Sequence, residues 1–180
     1  MKATPEHPCS FYSDDSVLAS TVATFLAPAF AERQALIAIG TPEHLAAIED
    51  RLRSTGHDID GARASGQYAS MDAEWALQQL TVHGMPTAER FNAIVGPHIK
   101  RAADEYGSVR AFGEIVSLLW RDGKRQAALR LEELWNEALG YHPLALVCGY
   151  NVRSFNEPAD AEGVIGIINS HTNVIVPALA

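Results

Sequence analysis

Short, continuously apolar runs alternate with stretches of helical periodicity, and that alternation restricts the fold more than any other feature of the chain. Ser10-Phe11-Tyr12 and Ala35-Leu36-Ile37-Ala38-Ile39 have strand length, and Leu144-Ala145-Leu146-Val147-Cys148 repeats the pattern far downstream. The last two are apolar at every position, as strands covered on both faces must be. Between the first two, Leu18, Val22, Phe25, Leu26 and Ala29 recur at helical spacing behind Asp14, a residue type suited to an N-cap. Thr41-Pro42 then opens a second helix that carries Leu45, Ile48 and Leu52 on one face and stops at Gly56. Strand, helix, strand, helix in that order predicts an α/β fold with a mostly parallel sheet flanked by helices.

The middle of the chain is less regular. Asp58 to Ser65 has the composition of a loop, and Gln67 to Met71 predicts a short strand. Asp72 caps a helix with Ala73, Ala76, Leu77 and Leu80 inward. A helix from Thr87 is broken at Gly96-Pro97 and resumes to Tyr106, because proline inside a helix removes a hydrogen bond and clashes with the preceding turn. Ser108 to Phe112 predicts a strand. Helices over Glu114–Arg121 and Lys124–Leu139 follow, the second with Ala127, Leu131, Leu134, Trp135 and Ala138 at helical spacing. A last helix is expected around Ala161 to Ile168. No repeat or linker interrupts this order, so residues 1–180 are expected to form a single domain.

Composition narrows the function classes. With 47% hydrophobic and 20% charged residues in 180, the chain has the balance of a globular protein and not of a disordered one. Its net charge of -8 repels phosphate backbones, so direct nucleic-acid binding is not expected. The opening Met1-Lys2-Ala3-Thr4-Pro5-Glu6 lacks the apolar core of a signal peptide, and no run is long enough to span a membrane. Two distant cysteines, Cys9 and Cys148, do not make a secreted disulfide framework. A cytoplasmic protein is the expectation.

A βα start invites a search for phosphate loops. Successive backbone N–H groups and a lysine cradle phosphates in G-x-x-x-x-G-K-[ST], and this chain has no such run. The turn after the first strand, Ser13-Asp14-Asp15-Ser16, has no glycine and two acids. ATP hydrolysis is therefore not expected. G-x-G-x-x-G, G-x-S-x-G, H-E-x-x-H and C-x-x-C are also missing. His7, Cys9, Cys148 and His171 have the donor types of a soft metal site, but two buried thiols and two ordinary polar histidines account for them more simply, and no metal site is assigned. No cofactor is identified.

Val109-Arg110-Ala111-Phe112-Gly113-Glu114 sets an arginine in a strand and a carboxylate at the start of the next helix, where the helix dipole favours negative charge. Ligands of open α/β sheets bind at the carboxyl ends of the strands. Tyr12, Arg110, Glu114, Cys148 and Tyr150 are the candidate ligand-binding residues on that edge, with Arg110 paired directly to Glu114 and Phe112 or Trp120 as an apolar wall. The alternative use of Arg110 and Glu114 is to staple the strand to its helix.

Several ordered blocks resemble the MEDS sensory-domain family of methanogens and methylotrophs. They are His7-Pro8-Cys9-Ser10-Phe11-Tyr12, Thr41-Pro42-Glu43-His44, Arg110-Ala111-Phe112-Gly113-Glu114, Leu118-Leu119-Trp120, Ala127-Ala128 and Leu131-Glu132-Glu133-Leu134-Trp135-Asn136. Leu146-Val147-Cys148-Gly149-Tyr150, Ser170-His171 and Val176-Pro177 complete the set. The resemblance spans nearly the whole chain, with Ile115, Gly149 and Ile168 as mild departures. It implies a RecA/KaiC-like α/β core that lacks a Walker A phosphate loop and a non-catalytic role in sensing small molecules, with small hydrocarbon derivatives as the proposed ligands. The implied partners are such a ligand and a separate signalling or regulatory protein, or a second copy of the chain. The competing readings are an enzyme with Glu114 as general base beside Arg110, against which stands the lack of a nameable nucleophile–base pair, and a ligand-free interaction module.

Overall fold

A computed structural model describes residues 6–157 and 160–176. Residues 1–5 of the signal-peptide argument, and Pro177 of the last resemblance block, lie outside them. The chain runs through β1 (Pro8–Tyr12), α1 (Asp15–Leu26), α2 (Pro28–Glu32), β2 (Ala35–Gly40), α3 (Pro42–Ser54), α4 (Ile59–Ala64) and β3 (Tyr68–Asp72). It continues with α5 (Ala73–Leu80), β4 (Thr81–Val82), β5 (Met85–Pro86), α6 (Ala88–Ile94), α7 (Gly96–Tyr106) and β6 (Val109–Gly113). Then come α8 (Ile115–Arg121), α9 (Arg125–Tyr141), β7 (Leu144–Asn151), a single 3-10 turn (Val152–Ser154), α10 (Asp160–Ser170) and β8 (Asn173–Ile175).

Six strands form one parallel sheet in the order β3-β2-β6-β7-β1-β8. All six residues of β2 and the first seven of β7 are buried, the outcome that continuous apolarity demands of strands covered on both faces. Because side chains alternate along a strand, each face collects its own core. On one face Leu18, Val22 and Leu26 of α1 pack with Ile48 and Leu52 of α3, Ile59 of α4, and Leu36, Phe112 and Val147 of the sheet. The other face buries Leu119 of α8, Leu131 and Trp135 of α9 and Ile167 of α10 against Ile37, Ile39, Leu146 and Cys148.

The local signals act as expected at most helix ends. Asp14, Thr41 and Asp72 each accept a backbone N–H from the first turn of α1, α3 and α5. At Gly96-Pro97 the helix is cut into α6 and α7, with the proline in the first turn of α7, where its missing N–H costs nothing. Asp58 to Ser65 is not a loop. The Asp58 carboxylate accepts from Gly61 N at 2.9 Å, and Ile59 and Ala62 are buried, so cap and burial together hold the one-and-a-half-turn helix α4 despite its glycine. The β4–β5 hairpin, unsignalled by apolar runs, turns on His83 and Gly84, both at positive φ (51° and 80°).

Candidate functional site

The connections leaving the four central strands diverge. Those after β1 and β2 lead to α1 and α3 on one face, while β6 leads to α8 on the other and β7 to the 3-10 turn. Divergence of this kind opens a crevice at the carboxyl ends of the strands. A cleft of about 390 Å³ lies there, within the range of small-molecule sites. Tyr12 of β1, Thr41 and His44 at the start of α3, Glu114, Ser117 and Leu118 of β6–α8, and Asn151 at the end of β7 line it.

Glu114 forms the floor. Its backbone N–H donates to Ile39 O at 3.1 Å, which continues the β2–β6 ladder by one step before the chain turns into α8. The carboxylate occupies the N-cap position without capping α8. It reaches across to α3, where Oε1 accepts from the Thr41 N–H and Oε2 lies 2.6 Å from His44 Nδ1. His44 Nε2 is 3.2 Å from Asp15 Oδ1. The imidazole therefore donates to a carboxylate at each end. The hydrogen bond to Glu114, aided by Asp15 and opposed by burial, raises its pKa from 6.5 to about 9. Tyr12 stands edge-on to this ring, with centroids 5.8 Å apart. Burial, and then the Glu114 charge, push its phenol well above the usual range, so it remains a neutral donor.

The family model for the MEthanogen/methylotroph, DcmR Sensory domain matches residues 6–172. The chain belongs to the MEDS family. No curated protein matches it. MEDS is a sensory-domain family, and this MEDS chain has the α/β fold expected of it, with no described helix long and apolar enough to cross a membrane.

The residues singled out in the MEDS chain fall into three places. Tyr12 and Glu114 share the cleft. Arg110 does not. It is the second residue of β6, near the amino edge of the sheet, where Nε donates to Gln34 Oε1 at 2.9 Å and a terminal N–H donates to Phe25 O at 3.3 Å. Its guanidinium lies over the Phe25 ring at 5.3 Å. The direct Arg110–Glu114 pair is thus overturned, for a simple reason: four residues of extended strand span about 13 Å. Phe112 and Trp120 do not wall the cleft. Each is buried in the core of its own face, and Leu118 is the aliphatic contact.

Cys148 and Tyr150 point to the opposite face from Tyr12 and Glu114. Cys148 pairs in register with Cys9, and Tyr150 with Phe11. The Tyr150 hydroxyl donates to Glu132 Oε1 in a fully buried setting. Burial raises the thiol of Cys148 and the phenol of Tyr150 well above their ordinary values, and lifts the Glu132 carboxyl from 4.5 to about 7. Motif reasoning passed over Thr41, His44, Ser117 and Asn151 in the cleft and Glu132 beneath the other face. Thr41, His44 and Glu132 stand inside blocks of the resemblance. Glu132 also carries a second signal, because it shares one face of α9 with Ala128, Trp135 and Leu139, an acid on an apolar stripe.

Proposed function

We propose that this MEDS chain senses a small polar hydrocarbon derivative, such as a short alcohol, aldehyde or carboxylic acid, in the cleft at the carboxyl ends of β1, β2, β6 and β7, without chemical turnover. The observation that carries this reading is the buried Glu114 floor, fixed by Thr41 N–H and His44, beneath a lining in which Leu118 is the one aliphatic side chain. Tyr12, Ser117 and Asn151 offer hydrogen bonds to a polar head group. An unsubstituted hydrocarbon would leave these groups unpaired and bind poorly.

Against the enzyme reading, His44, raised to about 9 by its hydrogen bond to Glu114, keeps its proton at neutral pH. Each Glu114 oxygen is already engaged by a hydrogen bond, which makes both groups poorer general bases. Two free, buried thiols suit a reducing, cytoplasmic setting. The net charge of -8 argues against direct contact with DNA, so the output passes to a separate regulatory protein or to a second copy of the chain. Calorimetric titration with a panel of short alcohols, aldehydes and acids tests the reading. At least one class binds, and Tyr12→Phe or Glu114→Gln weakens it by about tenfold or more, as loss of a hydrogen bond in a charged site requires. Affinity unchanged by both substitutions, or consumption of the compound, refutes it.

A further inference from the structure

Outside the cleft, beneath the other face of the sheet, four side chains with metal-ligating atoms converge. His7 precedes β1, Glu132 lies mid-way along α9, Cys148 is in β7 and His171 follows α10; one ligand atom of each lies within 4.8 Å of the others. Cys148 is fully buried, Glu132 is 1% exposed and His7 2%. The His171 backbone reaches solvent but its side chain is 0% exposed.

Hydrogen bonds at the outer ring nitrogens fix both tautomers. His171 Nδ1 lies 2.6 Å from Ile167 O, and a carbonyl can only accept, so the ring proton is on Nδ1. The Asn136 amide donates through Nδ2 to Ser170 O at 3.1 Å, which turns its Oδ1 toward His7 Nδ1 at 3.0 Å and fixes that proton too. Both Nε2 lone pairs then face inward. His7 Nε2 is 3.4 Å from Glu132 Oε2 and 3.4 Å from Cys148 Sγ, and His171 Nε2 is 3.5 Å from Glu132 Oε2. Two imidazole lone pairs, a carboxyl oxygen and a thiol sulfur therefore face one another. Glu132 Oε2 and His171 Nε2 have no hydrogen-bond partner among the described residues.

Unpaired acceptors at this depth cost free energy unless a proton or a metal cation joins them. The spacing is that of a coordination shell. Ligands about 2.0–2.3 Å from a tetrahedral zinc ion stand about 3.4 Å apart for nitrogen and oxygen, and about 3.6 Å apart where one is sulfur. Three of the six separations, at 3.4, 3.4 and 3.5 Å, lie within about 0.2 Å of those values, the others lie within 4.8 Å, and the two from Glu132 are long for hydrogen bonds.

We propose that His7, Glu132, Cys148 and His171 form a closed four-coordinate site for a borderline-soft divalent cation of the zinc type. On binding, the Cys148 thiol releases its proton to solvent and coordinates as thiolate. With the Glu132 carboxylate it supplies two negative charges, which the cation neutralises, so the buried site carries no net charge. Asn136, Ile167 O and Tyr150 are the outer partners that orient the two imidazoles and the carboxylate. Four protein ligands leave no open position, so the ion binds and clamps without activating water. It ties the α10–β8 segment to β1, α9 and β7. This proposal is independent of the cleft reading.

Titration of the chelator-stripped, full-length chain with Zn2+ and Co2+ tests it. One ion binds per chain, and the cobalt form shows the intense visible bands of tetrahedral coordination with a thiolate-to-cobalt charge-transfer band. Cys148→Ser abolishes the charge-transfer band, whereas Cys9→Ser and Arg110→Met keep it. Asn136→Ala weakens binding by about 10–100-fold. A folded wild-type chain that takes up neither ion at micromolar concentration overturns the site and leaves a proton-shared network. So does a cobalt spectrum without a thiolate band, or one that Cys9→Ser removes, and the wild-type and Cys9→Ser spectra decide this even if Cys148→Ser does not fold.

Discussion

Replacing His44 by glutamine should cost stability in a way that depends steeply on pH. Glutamine keeps an N–H within reach of Glu114 but cannot carry charge. The wild-type imidazole is raised from 6.5 to about 9, first by its hydrogen bond to Glu114. A pKa raised by folding means that the imidazolium stabilises the native state. That contribution is complete below pH 6.5 and is lost as pH rises through 9. Its size is at most about 3 kcal/mol, at 1.36 kcal/mol for each tenfold change in proton affinity. The His44 side chain is only 14% exposed, so little of this is lost to solvent screening, whereas Asp15 at 71% adds little. Tyr12, Glu114 and Asp15 are the ionisable groups facing the ring.

Urea denaturation of both proteins from about pH 6 to about pH 10 provides the assay, since titrations common to the two cancel in the difference. The stability gap should be widest at the acid end and shrink by up to about 3 kcal/mol at the alkaline end, or roughly 6–12 °C in Tm. The His44 ring proton, followed by NMR, gives the midpoint directly. A midpoint near 6.5, or a stability gap that does not change with pH, would refute the Asp15–His44–Glu114 chain of hydrogen bonds.

Arg110→Met should cost about 1–2 kcal/mol, the worth of its hydrogen bonds to Gln34 and Phe25 O, and leave the His44 midpoint where it is; a shifted midpoint would mean that Arg110 does feel Glu114. Gly163→Ala drives a Cβ into the Trp120 ring, which cannot bend away, and should destabilise by about 1–3 kcal/mol in the same denaturation assay. Tyr68→Phe removes a buried hydroxyl that donates to Glu49 Oε1 at 3.0 Å and should cost about 1.5–3 kcal/mol, with a neutral outcome showing that Arg63 alone satisfies that oxygen.

The parts of the fold legible in the sequence were those fixed by one dominant local term. Ala35–Gly40 is apolar throughout, so it could only be a strand with both faces covered. Asp14, Thr41 and Asp72 precede helical patterns and cap them. Where two terms compete, local reading gave way. The glycine at position 61 and the polar residues around it suggest a loop, yet the Asp58 cap and the burial of Ile59 and Ala62 outweigh them. The three-residue strand β8 carries too few residues to show a period, and its pairing with β1 over Pro8 to Ser10 is a tertiary matter.

For the site, the sequence located an edge but not a face. Tyr12, Tyr150 and Glu114 do all lie toward the carboxyl ends of their strands, which is as far as strand order and the resemblance can take an argument. The period of two then separates them. In register, Tyr12 lies beside Asn151 and Phe11 beside Tyr150, so neighbours one step apart on β7 serve different sides of the sheet. Asn151 joins Tyr12 and Glu114 in the cleft, while Tyr150 and Cys148 turn to Glu132. Arg110 fails for the complementary reason. It shares the Glu114 face but not its edge, and about 13 Å of strand cannot be bridged by one ion pair. Two coordinates, edge and face, therefore decide which polar residues of a parallel sheet meet, and a site inferred from one of them alone merges two chemically distinct places: a cleft organised by an imidazolium between carboxylates, and a buried cluster of His7, Glu132, Cys148 and His171.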